Sequence, residues 1–193
     1  MPGQNHRQNF DEVVDGYYER IFRGALAVTG DKYLAEEIVQ ETFVSAFKRF
    51  NGFSGRASVF SWLYAIMLNK HRDHCRRRKL LRRLGFVREN ANPGQTVNMT
   101  TPGRADRDAS PHAELADSEE SELLMEAVYG LPILLREAVA MRYFDGLPLN
   151  EVAEILDCPL GTVKSRLANA RKRLYNSLRG KLRDGCENEM PKG

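Results

Sequence analysis

Glycines and prolines concentrated between residues 84 and 118 limit how this chain can fold. They interrupt any helical pattern there, and large apolar side chains are scarce. The breaks are Gly85, Pro93-Gly94, Pro102-Gly103 and Pro111. A structureless loop of about thirty residues is unusual inside one compact domain. The sequence therefore predicts two small domains, at 10–83 and 119–183, joined by a flexible linker at 84–118.

Both predicted domains are helical, because apolar residues recur at spacings of three and four and no run alternates with period two. The fold class is all-α. In the first domain, Asp31 is the predicted N-cap of a helix that reaches Arg49, and a second helix begins near Ser58. The predicted helices of the second domain are 119–129, 132–144, 148–156 and 160–181.

The helix after Asp31 has two distinct faces. At 100° per residue its apolar side chains share one broad face, made by Leu34, Ala35, Ile38, Val39, Phe43, Ala46 and Phe47. The opposite face carries Glu37, Gln40, Glu41, Val44 and Lys48. We expect this second face to be exposed, either as an ordinary solvated surface or as a site for a basic protein partner.

Charge is distributed unevenly along the chain, although the net charge is only +3. Residues 70–83 carry eight basic residues against one acid, and residues 161–183 carry eight bases and no acid. Between them, residues 113–126 carry six acids and no base. Two separate basic patches predict contact with a polyanion such as nucleic acid at two places.

The second patch lies in a predicted helix-turn-helix. Glu151–Leu156 and Thr162–Arg171 are short helical segments joined by the tight connection Asp157–Gly161. An apolar stripe on the second helix would face inward, through Val163, Leu167, Ala170 and Leu174. The outward positions are then Ser165, Asn169 and Lys172, flanked by Lys164 and Arg171 on one side and Arg166 and Arg173 on the other. A generic basic amphipathic helix is the alternative.

The helix after Ser58 joins aromatic residues to the first basic patch. Trp62, Asn69, Arg72 and Arg76 fall on one side of it, opposite Phe60, Leu63 and Met67. Aromatic side chains here could stack on unpaired bases, through Phe53, Phe60, Trp62 and Tyr64. At helical spacing such residues are more often core, and we expect Phe60 and Trp62 to be buried.

An enzyme is the main competing class. His71, His74 and Cys75 could place three metal ligands on one helix face, but no fourth ligand is nearby and the flanking Arg and Lys disfavour a cation. The motifs GxxxxGK[ST], HExxH and GxSxG are absent. We therefore expect no catalytic residue, no metal and no cofactor.

The sequence also predicts the cellular compartment of the protein. No apolar run approaches the roughly 20 residues of a membrane span, and the N-terminus lacks the apolar core of a signal peptide. Cys75, Cys158 and Cys186 are an odd number without a CxxC pair. These features predict a protein of the reducing cytoplasm with no membrane insertion.

Four segments carry a resemblance to bacterial sigma factors of the extracytoplasmic-function (ECF) group. DKYLAEEIVQETF at Asp31–Phe43 resembles region 2.2 of that family, and FSWLYAIMLNK at Phe60–Lys70 resembles its regions 2.3 and 2.4. LPILLRE at Leu131–Glu137, together with GTVKSRL at Gly161–Leu167, resembles region 4. The order and spacing of the segments agree with the family, and only the predicted linker and the tails are left out.

The resemblance implies a sigma factor that takes part in transcription initiation in response to stress, has no catalytic residues and is controlled by an anti-sigma factor. It implies docking on core RNA polymerase through Glu37, Gln40, Glu41 and Val44. The resemblance assigns contact with the minus-10 promoter element to Asn69, Arg72, Arg76 and Arg77. It also implies that the loop Asn51–Ala57 captures a flipped base. It assigns contact with the minus-35 element to Lys164, Ser165, Arg166, Asn169, Arg171, Lys172 and Arg173. A stand-alone helix-turn-helix regulator is the alternative, but it leaves the first half of the chain unexplained.

Overall fold

A computed structural model describes residues 3–53, 55, 57–86 and 119–187, and these are helical with no strand among them. The seven α-helices are α1 (Gly3–Thr29), α2 (Lys32–Arg49), α3 (Val59–Arg83), α4 (Glu119–Tyr129), α5 (Ile133–Val139), α6 (Leu149–Ile155) and α7 (Leu160–Glu187). The all-α prediction is confirmed. Residues 87–118, most of the predicted linker, lie outside the described residues, so its flexibility stays a prediction. We refer to the described residues up to 86 as the first half and those from 119 as the second half.

Local side-chain caps start α2 and α3 at the predicted residues. The Asp31 carboxylate accepts hydrogen bonds from the backbone N–H groups of Tyr33 and Leu34, at 3.0 and 3.1 Å. The Ser58 hydroxyl accepts from the backbone N–H of Ser61 at 3.0 Å. Each cap satisfies donors that the first helical turn leaves unpaired, which fixes where the helix begins.

Two glycines shape α1, whose bounds the sequence pattern did not give. Gly24 packs against the ring of Tyr64 so closely that a Cβ atom there would lie 2.7 Å from the ring. Gly30 ends the helix with φ of +70° and donates its N–H to Leu26 O at 2.8 Å. A positive φ at this position is typical of a helix C-terminus and favours glycine.

One continuous apolar core holds the two halves together. Ile21 and Leu63 of the first half and Met141 and Val163 of the second are fully buried members of the same cluster. Helix α1 contacts α5 and α3 contacts α6 across the boundary. Burying each such side chain stabilises the fold by about 1.5 to 3 kcal/mol. The halves are therefore packed on each other as well as joined through residues 87–118.

The segment predicted as one helix at 132–144 is broken by a wider turn. Helix α5 ends at Val139 and a π-helical turn follows at Ala140–Phe144. The turn closes with the N–H of Asp145 bonded to the carbonyl of Ala140, at 3.1 Å. Asp145, the residue directly after this turn, contacts Tyr64 of α3.

In the part of the chain that the structure describes, no helix combines the length and apolar character that crossing a membrane requires.

Candidate nucleic-acid and protein-binding surfaces

The polar face of α2 lies at the surface, as the helix pattern predicted. Glu37, Gln40 and Val44 are exposed and Glu41 is half-buried, while Ile38 and Val39 on the other side are fully buried. Val44 exposes 55% of its surface at the centre of this polar face. An apolar side chain surrounded by acidic and amide groups suits a protein partner better than bulk water does.

Glu41 also connects α2 to α3. Its carboxylate lies 3.3 Å from His74 Nε2 and 3.6 Å from Lys70 Nζ. Candidate metal-ligand atoms of Glu37, Glu41 and His74 lie within 4.8 Å of one another. The Lys70 ammonium already supplies a positive charge to this group, so we interpret the cluster as an ionic link between the two helices.

The three residues considered as metal ligands from the sequence do not converge. His74 turns to Glu41, whereas His71 Nε2 lies 3.5 Å from Cys75 Sγ. Burial beside the guanidiniums of Arg136 and Arg72 lowers the pKa of His71 to about 4. His71 is therefore a neutral core side chain at neutral pH.

The basic patch on α3 divides into exposed residues and one that is engaged. Asn69, Arg76 and Arg77 are exposed, and Arg76 pairs with Asp73 one turn away. That guanidinium lowers the pKa of Asp73. Arg72 is different, because its Nε and Nη2 groups donate to Glu137 Oε1 and Oε2 at 2.9 and 2.6 Å. Of the predicted minus-10 residues on this helix, Arg72 is thus held by another part of the chain.

Glu137 is fully buried in α5, although it lies 65 residues from its partner Arg72. Burial raises the pKa of its carboxyl group, while the hydrogen bonds from Arg72 and the charge of Arg166 oppose that rise. The two N–H donors of Arg72 each require an acceptor oxygen on Glu137. The ionised carboxylate offers both of its oxygens as acceptors. We therefore treat the contact as a bidentate ion pair.

Two further contacts join α3 to the second half. The Tyr64 hydroxyl donates to Asp145 Oδ2 at 2.6 Å, and the Ser61 hydroxyl donates to Glu151 Oε1 at 2.9 Å. Burial, with the Asp145 carboxylate second, raises the pKa of Tyr64 well above its usual value. We call the contact surface made by Ser61, Tyr64 and Arg72 of α3 with these three carboxylates the internal interface.

The aromatic residues considered for base stacking separate into two groups. Phe60 and Tyr64 are buried, and the Arg20 guanidinium lies 3.9 Å from the centre of the Phe60 ring. Trp62 is half-buried rather than buried, and its ring centre lies 4.9 Å from that of Phe53. Of the loop Asn51–Ala57 beside this pair, Ser54 and Arg56 lie outside the described residues. Of the four rings considered for base stacking, Phe53 and Trp62 are the two that are partly exposed.

The helix-turn-helix segment of α7 presents its polar residues outward. Val163, Leu167 and Ala170 are buried and Leu174 is half-buried, so the apolar stripe faces the core as its spacing predicted. The exposed residues are Lys164, Ser165, Asn169, Arg171, Lys172 and Arg173. Arg166 is half-buried and close enough to Glu137 to affect its pKa, so it leans toward the body of the protein.

Sequence reasoning missed the acceptors of the internal interface: Glu137, Asp145 and Glu151. Asp145 and Glu151 look like ordinary turn and helix residues in the sequence. The sequence gives a weak indication that Glu137 is buried, since the apolar run Ala138–Met141 follows it directly. Glu137 and this run are all buried in the structure. A buried acid in such a run requires a partner, but the pattern does not say which basic residue provides it.

Both halves of the chain match models of known protein families. Residues 13–80 match the family model for sigma-70 region 2, and residues 121–174 match the model for sigma-70 region 4. Among the relatives, the ECF RNA polymerase sigma factor SigW of Bacillus subtilis is 30% identical over 171 residues, covering 88% of this chain and 89% of that protein. The ECF RNA polymerase sigma-E factor of Haemophilus influenzae is 28% identical over 180 residues, covering 91% and 90%.

Two solved structures share the fold. The sigma factor RpoE of Bartonella quintana, crystallised with the anti-sigma factor NepR, aligns with a TM-score of 0.65 at 21% identity and covers 89% of this chain and 98% of that one. CnrH, solved with the cytosolic domain of CnrY, aligns with a TM-score of 0.61 at 21% identity and covers 90% of each chain.

The two matched regions, in this order on an all-helical chain, define a transcription initiation factor of the sigma-70 type. The chain belongs to the ECF sigma factors, which bind core RNA polymerase and direct it to promoters.

Proposed function

We propose that in this sigma factor the exposed face of α2 docks on core RNA polymerase, that α3 contacts the minus-10 element and that α7 reads the minus-35 element. The polymerase residues are Glu37, Gln40, Glu41 and Val44. The observation that carries the proposal is that α2 and α7 bury their apolar faces in one core and expose the predicted binding residues other than the half-buried Glu41 and Arg166. The two domains of the proposal are 10–83 and 119–183.

The chemistry of each surface fits its proposed partner. An acidic face with an exposed valine is complementary to a basic protein surface with an apolar contact at its centre. On α7, Asn169 is exposed at an outward position, where an amide can bind adenine through two hydrogen bonds in the major groove. Lys164, Arg171 and Arg173 lie to either side, where they reach phosphates.

Regulation and setting follow from the same family relationship. RpoE of Bartonella quintana shares this fold and was solved with the anti-sigma factor NepR, which supports control of this chain by an anti-sigma factor. The chain acts in the cytoplasm as a binding factor without catalysis of its own. The proposed active form is the holoenzyme, so specific DNA binding belongs to the complex with polymerase rather than to the chain alone.

Reconstitution with core RNA polymerase tests this proposal. The purified chain is added to core enzyme, and transcript starts are mapped across genomic DNA with and without it. The proposal predicts new starts that share minus-10 and minus-35 sequences, together with weak binding of duplex promoters by the chain alone. Tight, specific duplex binding by the isolated chain, with no stimulation of core enzyme, would favour a stand-alone regulator.

A further inference from the structure

Two carboxylates and an imidazole meet on the polar face of α2. Glu37 and Glu41 are one helical turn apart, which places both side chains on the same side of the helix, and His74 lies beside them on α3. Candidate ligand atoms of the three residues lie within 4.8 Å of one another. Carboxylate oxygens and imidazole nitrogens are groups that Zn²⁺ and related divalent transition-metal ions bind in proteins.

The distances inside this cluster are long for hydrogen bonds. Glu41 Oε1 lies 3.3 Å from His74 Nε2, and Glu41 Oε2 lies 3.6 Å from Lys70 Nζ. Hydrogen bonds from nitrogen to oxygen are usually about 2.7 to 3.2 Å long. Two ligand atoms that are each about 2.1 Å from one ion, at the tetrahedral angle, are about 3.4 Å apart. The spacing of Glu41 and His74 therefore suits a shared metal ion.

Glu37 supplies the third ligand and is not engaged elsewhere. Its carboxylate makes no hydrogen bond or ion pair with any other residue that the structure describes. Because the side chain is exposed, it can rotate toward Glu41 and His74 between staggered rotamers at little cost. Three protein ligands leave one tetrahedral position for a water molecule, and the surface location gives that water access.

Lys70 is the cation that a metal ion must displace. Its side chain is 30% exposed, and the flexible four-carbon stem lets the ammonium group move into water. Two guanidiniums in this part of α3 are paired elsewhere, Arg76 with Asp73 and Arg72 with Glu137. Once Lys70 has turned away, the two carboxylates of the cluster leave a double negative charge that a divalent ion neutralises.

This ligand set differs from the one considered in the sequence. There His74 was grouped with His71 and Cys75 of its own helix, and the expectation of no metal concerned that group. In the structure His71 lies against Cys75, whereas His74 lies against Glu41 of α2, which is 33 positions away along the chain. Helix periodicity alone could not join ligands from two helices.

We propose that Glu37, Glu41 and His74 bind a divalent transition-metal ion of the Zn²⁺ type, and that the bound ion weakens docking of core RNA polymerase on α2. Glu37 and Glu41 belong to the face proposed to contact polymerase, and the ion takes up their negative charge. A basic partner surface then loses its electrostatic attraction to this face. In the metal-free chain, Lys70 maintains the ionic link between α2 and α3. The competition rests on the proposed function, whereas the metal site does not.

Titration of the full chain with Zn²⁺ at neutral pH, against a chromophoric chelator, tests the site. Glu37→Gln removes one ligand, and its matched control is Glu36→Gln, the adjacent residue on α2 outside the cluster. His74→Gln removes another ligand, and its control is His112→Gln in the predicted linker. All four variants keep the three cysteines, so Zn²⁺ bound by thiols cancels in each comparison.

Glu37→Gln and His74→Gln should each bind Zn²⁺ at this site more weakly than their controls. Loss of a residue that only supports a ligand reduces metal affinity by about 10- to 100-fold, so loss of a ligand itself should cost about tenfold or more. Equal affinities of each variant and its control would overturn the site. Circular dichroism establishes that the variants are folded. If His74→Gln does not fold, the exposed Glu37→Gln decides the matter.

Binding to core polymerase, measured with a labelled chain in Zn²⁺ and in chelator, tests the competition. His74→Gln is the informative variant, because it keeps both carboxylates proposed to contact polymerase. We expect Zn²⁺ to weaken binding of the unaltered chain by about fivefold or more and to leave binding of His74→Gln unchanged. An effect of Zn²⁺ on polymerase itself would appear with both chains.

The two measurements separate the proposals. An equal effect of Zn²⁺ on polymerase binding by the unaltered chain and by His74→Gln would overturn the competition. If no chain binds core polymerase, the proposed function fails, while the Zn²⁺ titration still decides whether the metal site exists.

Discussion

Arg72 of α3 and Glu137 of α5 form a bidentate ion pair, with N–O distances of 2.9 and 2.6 Å, between the two halves of the chain. The two residues are unequally buried. Glu137 is fully enclosed, whereas the Arg72 side chain keeps 26% of its surface exposed. The consequences of losing either partner should therefore differ.

Arg72→Ala should destabilise the protein more than Glu137→Gln. Removing Arg72 leaves an enclosed carboxylate without its main partner, at a cost of about 3 kcal/mol. Removing the charge of Glu137 leaves a guanidinium that can turn toward water, and the loss should be about 1 to 2 kcal/mol. Urea denaturation at neutral pH, followed by circular dichroism, measures both. The reverse order would mean that another cation, such as Arg166, neutralises Glu137.

Local signals in the sequence were sufficient for most of the helices. Asp31 and Ser58 cap α2 and α3 through bonds to residues two or three positions away, so the caps are visible in the sequence itself. The apolar spacing from Val163 on fixed which face of α7 is buried. The same reasoning fails at Ala140–Phe144, because a π-helical turn has the same apolar pattern as a continuous helix over five residues.

The internal interface could not be predicted from local pattern. The partners Tyr64 and Asp145 are 81 positions apart, and Arg72 and Glu137 are 65 apart. Helix periodicity places Arg72 on the outward side of α3. It does not predict that α5 and α6 of the second half contact that side. The exposure of the proposed polymerase residues on α2 could be predicted from helix periodicity. Glu37 and Val44 are exposed, because nothing in the described part of the chain packs over them.

Glu37→Lys and Val44→Lys should weaken binding to core polymerase without unfolding the chain. Both residues are exposed, and substitutions at such sites usually change stability by about 0.5 kcal/mol or less. Glu41→Lys is expected to disturb the fold as well, because it would place a second cation beside Lys70 and remove the carboxylate that His74 contacts. Thermal unfolding and competition with the unaltered chain for core enzyme are the measurements. Equal effects of Glu37→Lys and the control Lys48→Glu on polymerase binding would contradict the assignment of this face.

Asn69→Ala should reduce promoter opening while binding to core enzyme persists. Asn69 is exposed on α3, and its side-chain oxygen accepts a hydrogen bond from Nη1 of Arg72 at 3.4 Å. Arg72→Ala should have a smaller net effect on opening than loss of a DNA contact alone, since it also weakens the internal interface. Permanganate footprinting of the holoenzyme on a mapped promoter reports opening. Normal opening by Asn69→Ala would remove this residue from the minus-10 site.

On α7, Asn169→Ala should change which base is preferred at one minus-35 position, by about 1 to 3 kcal/mol. Arg171→Ala and Arg173→Ala should weaken all promoters alike and reduce the salt dependence by about one counterion each. A library of minus-35 variants, transcribed by each holoenzyme at several salt concentrations, distinguishes the two kinds of effect. A shift in base preference with Arg171→Ala, and none with Asn169→Ala, would mean that the helix enters the groove in another rotation.

The buried His71 should make stability depend on pH between about 6.5 and 4. Burial first, and then the charges of Arg136 and Arg72, lower its pKa to about 4. As the pH falls below 6.5 the unfolded chain takes up a proton that the folded chain refuses, so the folded state loses stability until the pH reaches the folded pKa. The loss from this group alone amounts to about 3 kcal/mol at pH 4. His71→Gln should remove that part of the pH dependence, whereas His112→Gln, in the predicted linker, should retain it. Urea denaturation of the three proteins at pH 7, 5.5 and 4 gives the comparison, and parallel pH profiles for the unaltered chain and His71→Gln would show that folding does not lower the pKa of His71.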